Sequence, residues 1–270
     1  MSGGTLGSTS VAMMSDDELE DHYEDERDDG ARYAPISSID MWAIPKALTS
    51  LALFDDDPYL RLQTVNLAVV DKFISDLEKR TLRRLIDEER TPTDDAMFLG
   101  AQSQMWIFAA YEIQRTWRQR MTDIIKWHEC GGLGQKIASL EKDDGFQHFG
   151  KQARAHTLRK VQADSNIIQT IRDDLKRTYI AFTRLEFLRV FIAKHEISGK
   201  PNGIAMSPGY GRINMWCGSL DYEMNNGRYI MYNINRRDIA DEIRAIPSLD
   251  LPTDDNIASF KAFMKGPPNA

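Results

Sequence analysis

Residues 57–73 read DPYLRLQTVNLAVVDKF, and the fold class follows from them. Asp57 offers a side-chain oxygen to free backbone N–H groups. Pro58 carries a ring already set to the helical φ and has no N–H to waste, so the pair marks a helix start. Beyond it Leu62, Val65, Val69, Phe73, Leu77 and Leu85 recur at the helical period. The spacing predicts one long helix to about Arg90, stopped by Thr91-Pro92, with those apolar side chains turned to the core.

The same pattern repeats downstream. Thr93-Asp94-Asp95 places acids where a helix N-terminus favours them. Phe98, Met105, Trp106, Phe108, Ala109, Ile113, Trp117, Ile124 and Trp127 follow, and Cys130-Gly131-Gly132 is a glycine stop. A short helix is expected near 133–142, then a turn at Asp143-Asp144-Gly145 and a basic segment over 148–163. Asp164 is read as the cap of a third long helix reaching His195. Residues 36–56 are expected to cross the body as short helices. After the third helix the chemistry changes. Ser198-Gly199-Lys200-Pro201-Asn202-Gly203 and Ser207-Pro208-Gly209 are loop sequences. Ile213, Met215 and Cys217 alternate, as do Leu220, Tyr222 and Met224. Asn225-Asn226-Gly227 is a hairpin turn leading to a strand from Tyr229 to Ile234. Asn235, with Asp238 in the first turn, caps a last short helix ended by Pro247. The expected fold is mainly α: a bundle of long antiparallel helices with a small C-terminal antiparallel β-hairpin near 212–234 and a short final helix. Residues 36–247 form that domain. Residues 248–270 are a tail with one helical turn near Phe260.

The chain has 270 residues, 42% hydrophobic and 28% charged, with a formal net charge of −7. Residues 1–30 hold ten acids and one arginine, whereas the other 240 hold 33 basic and 31 acidic side chains. The acidity therefore belongs to the N-terminus, and 1–35 read as a disordered acidic tail around a nearly neutral body. Such a tail solubilises the chain, or imitates nucleic acid over a basic surface of the same protein. The N-terminus has no basic region followed by an apolar run, so no signal peptide is expected. No 18-residue apolar stretch occurs, so no membrane partner is expected. Cys130 and Cys217 are the only cysteines, which argues against a disulfide framework and for a cytoplasmic location. No cofactor is expected. No metal is expected either, because His128, Cys130, His148 and His156 fit no zinc spacing.

Two groups of residues bear on function. Lys151, Arg154, Arg159 and Lys160 lie beside His148 and His156 in a stretch without an acid, which suits either a phosphate backbone or a solvated helix face. Trp106, Trp117 and Trp127 interleave with Arg115, Arg118 and Arg120. Base stacking is one reading of that pattern, and core packing fits its spacing better. Glu112 is expected as a buried partner for an arginine such as Arg189.

The second group is Arg189 and His195, five residues apart at the end of the third helix and directly before loop and hairpin. This arrangement resembles the HEPN superfamily (higher eukaryotes and prokaryotes nucleotide-binding domains), whose members carry Arg-x(4–6)-His near the end of a late helix. Val190 stands where the family usually has a polar residue. The resemblance implies metal-independent cleavage of RNA, with toxin–antitoxin or phage-defence roles common among members. Arg189 would hold the phosphate, His195 would move the proton, and Lys151, Arg154, Arg159 and Lys160 would bind the strand. It also implies a homodimer with the two motifs facing each other. Six helical positions leave the two side chains about 120° apart, so they converge through the flexible Arg stem, helix distortion or a second protomer. The alternative is a non-catalytic helical scaffold or regulatory protein acting through protein partners. There Glu186 and Arg189 are an ordinary i,i+3 ion pair, and His195 merely suits a helix C-terminus.

Overall fold

The computed structural model describes residues 33–142, 145–146, 148–193, 211–225 and 230–265. Expectations for the acidic tail up to residue 32, the loop sequences, His195 and the hairpin turn lie outside them. The described residues from Ile36 onward pack as one unit. Its elements in order are α1 (Ala43–Thr49), α2 (Pro58–Glu88), α3 (Thr93–Glu129), α4 (Leu133–Glu141), α5 (Phe149–Ala163), α6 (Asn166–Arg177) and α7 (Tyr179–Ala193). The strands β1 (Arg212–Ile213), β2 (Leu220–Asn225) and β3 (Ile230–Ile234) follow, then α8 (Arg236–Ala245) and α9 (Asp254–Lys265). The fold is mainly α with a small antiparallel sheet.

Local signals act where the sequence puts them. Asp57 Oδ1 accepts from the N–H groups of Tyr59 and Leu60 at 3.0 and 3.1 Å, opening α2. Gly131 adopts a left-handed φ of 68° after α3, its N–H reaching His128 O, while Gly132 N–H reaches Trp127 O at 2.7 Å. That pair of bonds is a Schellman stop, which a glycine accepts without steric cost. Asn235 and Asp238 form a reciprocal capping box on α8.

α2 and α3 pack antiparallel along their length, α7 and α6 lie on α3, and α1 fits between α2 and α8. The indoles Trp106 and Trp117 are buried and donate to Leu67 O and Ala52 O at 3.1 and 3.0 Å, tying α3 to α2 and to the loop after α1. Both are therefore core side chains. β2 lies centrally in the order β1-β2-β3 and rests on α3, with a register shift between Met224 and Asn225.

Three expectations change. The third long helix is two helices, α6 and α7, broken at Thr178. Arg118 of α3 causes the break. Its guanidinium donates to Leu175 O at 3.1 Å and to Thr178 Oγ1 at 2.7 Å. It thus occupies the carbonyl that an unbroken helix would bond to Tyr179 N–H. The tail beyond Pro247 holds a three-turn helix, α9, opened by a reciprocal bond pair between Thr253 and Asn256. It is anchored by Phe260 on Tyr179 and Phe263 on Tyr232. Finally, α2 buries only part of the stripe its sequence period suggests. Leu77 is buried and Val65 and Leu85 are half-buried, but Leu62, Val69 and Phe73 are exposed, and the inward side is Leu60, Thr64, Leu67, Ala68, Asp71, Ile74, Ser75, Leu77, Glu78 and Thr81.

The polar groups on that inward side have a partner on α8. Arg236 is fully buried and donates to Glu78 at 2.8 and 2.6 Å, to Ser75 Oγ at 3.3 Å and to Asp71. Arg244 also donates to Asp71, and the Arg236 guanidinium lies over the Trp106 ring. Burial depresses the Arg236 pKa, but Glu78 and Asp71 outweigh it and raise it above its ordinary value. A charge buried this completely is tolerated only because two carboxylates and a hydroxyl satisfy its donors.

Candidate functional site

Arg189 sits half-buried on α7, its guanidinium 5.1 Å from the centre of the Tyr111 ring. Tyr111 is buried against Phe182, stacked at 5.7 Å, and donates its hydroxyl to Glu186 at 3.2 Å. Burial, then the Glu186 carboxylate, raises the Tyr111 pKa. Glu112 is not the buried partner expected for Arg189. It is exposed and takes Arg115 at 2.7 Å, because position 112 lies on the outer side of α3.

The basic segment becomes helix α5, and its four cations divide. Arg159 pairs with Glu141 at 2.6 Å and Lys160 with Asp56 at 2.6 Å. Those two hold α5 to α4 and to the loop before α2. Lys151 and Arg154 instead line a cleft of about 550 Å³ between the N-terminal ends of α2 and α5 and the C-terminal half of α3. Arg120 of α3 and His148 share it. Arg120 is paired with Asp57, whose other oxygen caps α2. Burial first, and Arg154 second, push the Arg120 pKa down. Among the described residues Arg154 has no ion-pair partner. Tyr59, Phe146 and Phe149 stand at the mouth with their rings exposed, Tyr59 and Phe149 edge to face at 6.5 Å.

Cations beside open aromatic faces suit a ligand with both phosphate and planar rings. Guanidinium and ammonium groups take phosphate oxygens, and aromatic side chains stack on bases. No family model, curated protein or solved structure matches this chain.

Arg189 and the cleft cations Lys151 and Arg154 do not form one site in a single chain, and His195 lies outside the described residues. Tyr111, beneath Arg189, and Arg120, in the cleft, are nine residues apart on α3. They therefore lie on opposite faces and about 14 Å apart along the axis. Tyr59, Phe149 and Arg120 were missed as cleft residues. Phe146 and Phe149 next to a cationic run, with no apolar period to bury them, were the available signal. Tyr59 was hidden inside a capping pattern.

Proposed function

We propose that this chain binds single-stranded RNA in the α2–α5 cleft. Arg154 and Lys151 engage phosphates, and Tyr59 and Phe149 stack on bases. The observation that carries this reading is Arg154, without an ion-pair partner among the described residues, lining one cleft with Arg120 and the exposed rings of Tyr59 and Phe149. In its catalytic form, which rests on the HEPN resemblance, Arg189 holds the scissile phosphate and His195 moves a proton without a metal. A strand leaving the cleft would have to pass around α3, or meet the Arg189 of a second protomer. A homodimer is part of this form.

The test is anisotropy of a labelled oligouridylate with wild type, with Lys151→Ala/Arg154→Ala and with Tyr59→Ala/Phe149→Ala. All four side chains are surface groups, so the variants should fold. Binding lost in both double variants supports the reading, and binding retained in both overturns it. The same RNA incubated in EDTA with wild type and His195→Ala reads the catalytic form: cleavage must occur and must vanish in the variant. The second reading is a non-catalytic scaffold acting through protein contacts. It is favoured by the apolar outer face of α2 and predicts neither cleavage nor RNA binding.

A further inference from the structure

α2 buries apolar and polar side chains together and leaves a second apolar stripe outward. Leu62, Val69 and Phe73 are 60, 53 and 52% exposed. α3 buries a largely apolar side yet also leaves apolar side chains outward on its adjoining flank, where Met97, Phe98 and Met105 are 63, 46 and 64% exposed. Phe73 and Phe98 meet edge to face at 6.4 Å, which joins the two stripes into one surface. The antiparallel register that follows from this contact sets Asn66 beside Met105 and Leu62 beside Ala109.

Two properties of this face bear on what covers it. Its apolar side chains expose on the order of 700 Å², more than the few hundred Å² usual for a monomer and close to one partner's share of a standard interface. No Asp, Glu, Lys or Arg stands between its apolar side chains. At its rim Lys72 pairs with Asp76 at 2.6 Å, Glu112 with Arg115 at 2.7 Å and Arg80 with Asp95 at 3.4 Å, while exposed Asp94, one turn from Met97 and Phe98, has no ion pair among the described residues. A face free of charges at its centre, with most rim charges paired internally, meets a copy of itself with little repulsion.

We propose that a second copy of this chain covers the face, α2 and α3 of each protomer forming a four-helix layer about a two-fold axis. With the axis crossing the helices between Asn66 and Val69, the bulky end of the face meets the short end of the other copy. Phe98 then lies over Ala109 of the partner subunit, and Phe73 over Leu62 of the partner subunit. Large-to-small matching at both ends is what a self-complementary surface requires. Lys151 and Arg154 are not part of this contact, Tyr59 lies one turn from Leu62 at its edge, and Arg189, over Tyr111, is on the other side of α3. The dimer is therefore distinct from the one that brings two Arg189 motifs together, and a test that reads mass does not depend on RNA binding.

Sedimentation velocity of the full chain up to about 100 µM tests it, a range that covers micromolar affinities. The expected result is a species of twice the 30.9 kDa chain mass. Phe98→Asp/Met105→Glu should return it to monomer with an unchanged circular dichroism spectrum, since both side chains are already exposed in one chain. Gln102→Cys in a Cys130→Ser background should oxidise to a covalent dimer, while a cysteine placed at Arg172 should not. A wild type that stays monomeric throughout assigns the face to another occupant and overturns the proposal. A dimer persisting in the folded double variant overturns it as well.

Discussion

Arg236 on α8 and Glu78 on α2, 158 positions apart in sequence, share two hydrogen bonds of 2.8 and 2.6 Å with both side chains fully buried. This pair, with Asp71 and Ser75, explains why the middle of α2 is polar on its inner side. Replacing Glu78 by Ala leaves a buried guanidinium under-compensated. It should cost about 3–5 kcal/mol in urea unfolding. Glu78→Gln keeps one acceptor and should cost less. If Glu78→Ala unfolds like wild type, the pair is not buried in solution.

Gly218 should not tolerate a side chain. Its φ is 75°, and a Cβ there would stand 2.2 Å from Glu78 O. The β1–β2 turn lies directly on the α2 backbone at that point. Gly218→Ala should lose more than the ~1 kcal/mol of a left-handed alanine, because backbone must also move. Urea midpoints of the two proteins decide it.

The two thiols should behave oppositely. Cys130 is exposed, and Cys217 is buried with its pKa pushed up to about 12 by burial. With a thiol reagent at pH 8, one group per chain should react at once and the second only as the protein unfolds. The folded pKa of Cys217 lies above its unfolded value. Its share of stability is thus intact below about pH 9 and is lost as the pH climbs toward 12. Cys217→Ala should remove that part of the alkaline loss.

The cations of α5 should be unequal in RNA binding. Each phosphate contact to a single strand contributes about −0.7 to the slope of log K against log salt. Arg154→Ala should flatten the slope by about that amount. Arg159→Ala and Lys160→Ala should change it little, because Glu141 and Asp56 already hold those charges. Their cost in stability should stay below about 1 kcal/mol, as for exposed ion pairs.

Arg118→Ala should disturb the α6–α7 junction. The side chain binds Leu175 O and Thr178 Oγ1 and lies 4.7 Å from the Phe182 ring centre. Burial brings its pKa down to about 10, so it stays charged at neutral pH. Its removal should raise amide exchange around Thr178 before other helices open.

The sequence by itself determined where helices start and stop. Those signals are contacts between near neighbours: Asp57 with the N–H groups of Tyr59 and Leu60, Gly131-Gly132 with the last carbonyls of α3, and Asn235 with Asp238. It also determined the order of helices and hairpin, and a cationic stretch at 151–160. Only the tertiary structure decided which side of a helix faces inward. The outer stripe Leu62–Phe73 and the inner Leu60, Leu67, Ile74 and Leu77 both keep a helical period, and the inner side can also bury Asp71 and Glu78 because Arg236 and Arg244 arrive from α8 to neutralise them. Likewise Arg118 breaks a helix whose own sequence runs on, and Asp56 and Glu141 remove two of four cations from the cleft. Each of these decisions is an electrostatic or hydrogen-bonded match between positions more than ten residues apart. Helical periodicity carries no record of such partners.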